Sequence, residues 1–79
     1  SPTLFYTKKK QLLADVTRKL AAAREALMLV SEHEFEAGSL GDEDTDVRSA
    51  IDDLDGLIEF VDGIRSATEA MVQMGRGGK

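Results

Sequence analysis

Between Lys10 and Ala37 the chain has neither proline nor glycine, and apolar or small residues stand at Leu13, Val16, Leu20, Ala23, Leu27 and Val30, in alternating steps of three and four. Steps of this kind hold a line of side chains on one face of an α-helix, so the pattern predicts a helix over about 8–37. Leu12, Ala26, Met28 and Leu29 widen the stripe, as expected of a helix that faces more than one neighbour. The second half repeats the pattern, with Ala50, Leu54, Leu57, Val61, Ile64, Thr68 and Met71 on one line and Val47, Ile51 and Ile58 beside it. It predicts a second helix over about 46–74. In between, Gly38 and Gly41 suit the left-handed conformation that ends a helix, and Asp42 or Asp44 can cap the next one. Residues 38–45 therefore read as an acidic turn, short enough to fold the two helices back on each other.

The expected fold is all-α: a long antiparallel helical hairpin covering 1–79 as one domain. Two wide stripes are more than two helices can cover, so the hairpin is expected to dimerise into a four-helix bundle, a coiled-coil-like homodimer, or to dock on a larger helical partner. Leu13, Val16, Leu20, Leu27, Val30, Leu54, Leu57, Val61 and Ile64 are the expected internal seam. Leu12, Leu29, Ile51, Ile58 and Met71 are the candidate intermolecular face. Leu4, Phe5 and Tyr6 at the open end fit either an extra helical turn or an arm across a neighbour. Gly75-Arg76-Gly77-Gly78-Lys79 reads as a flexible tail over 75–79, because glycine is costly in a helix.

Composition narrows the functional classes. The chain has 79 residues and no cysteine, which removes disulfides and thiolate zinc sites and suits a reducing compartment, the cytoplasm. No apolar run approaches the roughly 20 residues of a membrane span. Fifteen acids against ten bases give a net charge of −5, which disfavours direct nucleic-acid binding. The acids are also segregated. Glu32, Glu34, Glu36, Asp42, Glu43, Asp44, Asp46, Asp52, Asp53 and Asp55 face one base, Arg48, inside 32–55. That segment carries −9 and the rest of the chain +4, so a hairpin turning near residue 40 has an acidic tip and a basic open end. For the first helix this opposes the macrodipole, which favours bases at the C-terminal end. An association in which one acidic tip meets another copy's basic end would explain it; a solvated loop that aids solubility is the plain alternative.

No catalytic or ligand set emerges. Asp42, Asp44, Asp46 and Asp53 match part of a calcium-loop pattern, but the glycine of the sharp turn is replaced by Val47 and the bidentate glutamate is missing. His33 is the only histidine and lacks the Glu-x-x-His spacing of di-iron bundles, so it reads as a surface residue near the tip. Ser49, Gly56, Gly63 and Ala70 form a stripe of small residues at seven-residue spacing, which fits an exposed face somewhat better than a close helix contact. Val47-Arg48, Ile51-Asp52, Leu54-Asp55, Leu57-Ile58, Val61 and Arg65 resemble the opening helix of the all-helical chorismate mutases. Only 14 residues follow Arg65, so the later helices that supply that family's other polar groups have no counterpart and no catalytic role is carried over.

The sequence thus points to a non-enzymatic protein–protein interaction module, a small adaptor, assembly factor or regulator of accessory or phage type, with no cofactor and no small-molecule substrate. The alternative is an acidic inhibitor that captures a basic or nucleic-acid-binding surface through Glu32, Glu34, Glu36, Asp42, Glu43, Asp44 and Asp46.

Overall fold

The structure is a computed structural model that describes residues 2–38 and 42–78, with the side chains of 42–45 and 76–78 left out. It is the expected all-α two-helix hairpin: α1 runs Pro2–Glu36 and α2 runs Asp42–Gly78. Its extents are 61 × 14 × 13 Å and its radius of gyration is 17.8 Å, where a compact chain of this length would give about 12 Å. The molecule is a two-helix rod.

Both helices run further than the apolar pattern predicts. α1 starts at Pro2, whose fixed φ and missing N–H suit a first helical turn, and Leu4, Phe5 and Tyr6 are extra helical turns and not an arm. α1 ends where Gly38 takes φ 76°, with Ala37 N donating to His33 O and Gly38 N to Phe35 O, both at 3.0 Å. That left-handed residue satisfies carbonyls the last turn would otherwise leave orphaned. α2 draws Asp42, Glu43, Asp44 and Asp46 into its opening turns, where carboxylates favour the helix dipole. At the other end the segment expected to be a flexible tail continues the helix to Gly78, alongside the start of α1. A Cβ built on Gly75 would lie 2.5 Å from Thr3 Oγ1, so a residue without a side chain lets the two ends close.

The core is thin. Val72 (1% exposed), Thr68 (3%) and Val61 (8%) are the buried residues among those described. Around them the half-buried positions mark the inner seam: Thr3, Tyr6, Lys10, Leu13, Thr17, Leu20, Arg24, Leu27, Ser31 and Glu34 on α1, against Val47, Ile51, Leu54, Ile58 and Arg65 on α2. Every second member of the α1 seam, Thr3, Lys10, Thr17, Arg24 and Ser31, is polar. Thr17 and Thr68 return their hydroxyls to the carbonyls of Leu13 and Ile64, at 3.1 and 2.8 Å, which satisfies them inside their own helices. Lys10 pairs with Glu69, and Arg24 pairs with Asp55 through Nε to Oδ1 and Nη2 to Oδ2, the latter at 3.4 Å. These two ion pairs fix the antiparallel register along one edge of the hairpin.

Three residues expected inside are outside. Val16, Val30 and Leu57 are 41, 44 and 44% exposed, because each helix turns a different flank of its stripe toward the other. In α1 the expected line 13, 16, 20, 23, 27, 30 is replaced by 13, 17, 20, 24, 27, 31. In α2 the line 50, 54, 57, 61, 64, 68, 71 shifts toward 51, 54, 58, 61, 65, 68, 72, with Leu57 and Met71 exposed and Ala50 and Ile64 still half-buried. Exchanging every second member for its neighbour turns a line about 50° around a helix of about 100° per residue.

Candidate interaction surface

That rotation has the same sense in both helices. Since the helices are antiparallel, corresponding flanks of the two seams emerge on the same side of the rod, and the rod acquires two unlike long sides. On one are the Lys10–Glu69 and Arg24–Asp55 pairs. Toward the tip on that same side, Ser31, Glu32, Phe35, Glu36 and Arg48 line a shallow 340 Å³ depression. The other side carries the displaced apolar flanks: Phe5, Leu12, Val16, Ala23 and Val30 from α1, and Leu57, Phe60, Met71 and Met74 from α2, all exposed. Phe60 is 68% exposed and Leu12 55%, and exposed apolar residues grouped on one side of a small chain make that side the candidate interaction surface.

The candidate intermolecular face does not stay together. Leu12 and Met71 lie on the apolar side. Leu29, exposed, lies on the outer back of α1, where Glu25, Met28, Leu29 and Glu32 border an open groove. Ile51 and Ile58 are half-buried in the hairpin's own seam. Phe60 and Met74 complete the strip and had no place in the predicted face; Phe60 interrupts no period and stands beside the carboxylates of Glu59 and Asp62, so its signal in the sequence is slight. The small-residue stripe lies on the outside of α2: Ser49, Gly56, Gly63 and Ala70 are exposed, and a Cβ built at Gly56 or Gly63 meets nothing within 4 Å.

At the acidic tip Glu32, Glu36 and Asp46 are exposed, whereas Glu34 is half-buried on the inner seam with its Oε1 shielded and unpartnered among the described residues. The side chains of Asp42, Glu43 and Asp44 lie outside the described residues. The part-matching calcium pattern begins in a backbone that is already helical from Asp42, a geometry unlike the sharp turn of a calcium loop. His33 is exposed. Among the described residues no group of three or more His, Asp or Glu is arranged to hold a metal ion, and no helix is long and apolar enough to cross a membrane.

Local ion pairs order the outer surface of α1. Asp15 accepts from Lys19 at 2.9 Å and from Arg18 at 2.8 Å, and the Lys19 hydrogen bond and charge, with Arg18 adding less, hold its carboxyl below the ordinary value of 3.8. Arg65 pairs with Asp62 at 3.0 Å on α2. Comparison with protein-family models, with curated proteins and with solved structures found no match.

Proposed function

We propose that the chain is a non-enzymatic protein–protein interaction module, a small adaptor, assembly factor or regulator that acts through helix packing, as a homodimeric four-helix bundle or on a larger helical partner. The observation that carries this reading is the exposed apolar side of a rod with a half-polar seam. A seam with Thr3, Lys10, Thr17, Arg24 and Ser31 at every second position gives the hairpin little stability of its own, while Val16, Leu57, Phe60 and Met71 are left in water. A folded 8.6 kDa chain has an accessible surface of about 4,700 Å², and this one exposes 5748 Å². The excess of about 1,000 Å² is the surface cost of the 61 × 14 × 13 Å rod shape. A cysteine-free chain of this kind suits the cytoplasm.

The test is helicity on dilution. If the hairpin is completed by a partner, circular dichroism of the isolated chain at nanomolar concentration shows loss of helix. A chain that remains fully helical and cooperatively folded as a monomer at that dilution needs no partner and contradicts the reading.

An acidic inhibitor is the second reading, favoured by the exposed Glu32, Glu36, Asp46, Asp52 and Asp53 in a segment of net −9. It requires binding to a basic protein surface that weakens steeply between low and high salt; salt-insensitive binding rules it out.

A further inference from the structure

We infer that the apolar side of the hairpin is the dimer interface for a second copy of the same chain, packed with its acidic tip over the first copy's basic open end. This rests on the interaction reading above and names the partner.

Three observations carry it. First, the most apolar line of each helix is neither on the seam nor on the strip but between them. Leu13, Leu20 and Leu27 alternate with Val16, Ala23 and Val30 on α1, and Leu54, Val61 and Thr68 alternate with Leu57, Ile64 and Met71 on α2. In a four-helix bundle each helix touches two neighbours, and its most apolar line points between them at the common axis. A rotation of about 50° in the same sense in both helices is what stacking two hairpins face to face requires. A partner that docked on one helix alone would leave one of the two rotations without a purpose.

Second, the length matches. The strip runs most of the rod's length, from Phe5 beside Met74 at the open end to Val30 beside Ala50 near the tip, so an occupant of equal length covers it.

Third, the charges select the occupant and its direction. With the tips together, two segments of −9 would face each other. With the second hairpin turned end for end, the acidic half of each copy, residues 32–55, lies over the open end of the other, where Lys8 and Lys9 stand exposed. The first helix, whose charges oppose its own dipole, then finds its complement in the first helix of the partner. A two-fold axis across the middle of the rod brings Phe60 against Phe60 of the other copy and sets Leu57 against Ile64, large on large, along the strip.

The test uses light scattering after gel filtration and a short bismaleimide cross-linker on single-cysteine variants, which a cysteine-free chain makes unambiguous. Phe60→Cys, near the two-fold axis, is expected to cross-link as a dimer, whereas Phe35→Cys, on the ion-paired side, is not. Val16→Asp and Leu57→Asp should each lower the dimer affinity at least 100-fold, and Met28→Asp, off the strip, by less than threefold. A dimer that cross-links through Phe35→Cys, or that survives both aspartates, overturns the face while leaving the interaction reading intact. An unmodified chain that is monomeric and poorly helical at 100-fold above micromolar concentration overturns the second copy as occupant, and the interaction reading then needs a different protein. A monomer that is fully helical overturns both.

Discussion

Gly75 is the position where one added methyl group reads out how closely the two helix ends approach. A Cβ there would stand 2.5 Å from Thr3 Oγ1 and 3.6 Å from Thr3 Cβ, while at Gly56 and Gly63 it would meet nothing. Replacing an open helical glycine with alanine gains about 1 kcal/mol of helix propensity, so Gly56→Ala and Gly63→Ala should each raise stability by that amount, about 4–8 °C in Tm for a chain this small. Gly75→Ala makes the same gain but meets an overpacking cost of roughly 1–3 kcal/mol, and its net effect should be neutral to destabilising by about 2 kcal/mol. Thr3→Ala removes the obstructing hydroxyl. In the Thr3→Ala background Gly75→Ala should recover its gain, giving a coupling of at least about 1 kcal/mol in the double-mutant cycle. Thermal and urea unfolding followed by circular dichroism measure all of these, at one protein concentration so that association contributes equally. If Gly75→Ala stabilises the wild-type background as much as Gly63→Ala does, the ends do not meet as described and the helical reading of residues 75–78 fails.

Gly38→Ala should destabilise by roughly 1–2 kcal/mol, the cost of a left-handed conformation for a residue with Cβ, and Gly38→Asn by less, both read by urea unfolding. The half-exposed Arg24–Asp55 pair should show a coupling of about 0.2–1 kcal/mol in the Arg24→Ala, Asp55→Ala cycle at low salt, shrinking at 1 M salt; a salt-independent coupling would mean that packing, not charge, joins them. Thr68→Val should be neutral or stabilising by up to about 1 kcal/mol, since the hydroxyl bonds only to a carbonyl of its own helix and the methyl stays buried. For Asp15 the carboxyl value is depressed in the folded chain, so its contribution is complete above the ordinary value and is lost as pH falls through the lower, folded one. Asp15→Asn should therefore reduce stability at neutral pH and remove that part of the acid limb below about pH 4 in a pH series of thermal melts.

The two helices were legible because a period of three and four survives any choice of partner. Their exact faces were not. Val16 and Thr17 are neighbours, as are Ala23 and Arg24, and a hydrophobicity pattern places the line through the more apolar member; between Leu57 and Ile58, both fully apolar, it has nothing to choose by. The chain instead turns Thr17, Arg24 and Ile58 inward, where Arg24 reaches Asp55 and Thr17 bonds its own helix, and leaves Val16 and Leu57 exposed. A pattern that serves two neighbours points between them, so it cannot say which neighbour is the chain itself. The helix ends were misread for another reason: Gly75 and Gly77 lower intrinsic propensity, but the close approach to Thr3 depends on a residue at the far end of the chain. At the tip the charge segregation was plain, and the half-burial of Glu34 was not: it stands seven residues after Leu27 on the line that Leu13, Leu20 and Leu27 share, but a carboxylate there reads as surface.

The most direct test of the central claim is sedimentation equilibrium of the unmodified chain across a concentration series, at low and at high salt, with helicity measured on the same samples. The predicted result is a helical species of twice 8.6 kDa at micromolar concentration, which dissociates on dilution with loss of helix and more readily in high salt. A single 8.6 kDa species that keeps its full helicity at every concentration and salt would contradict it.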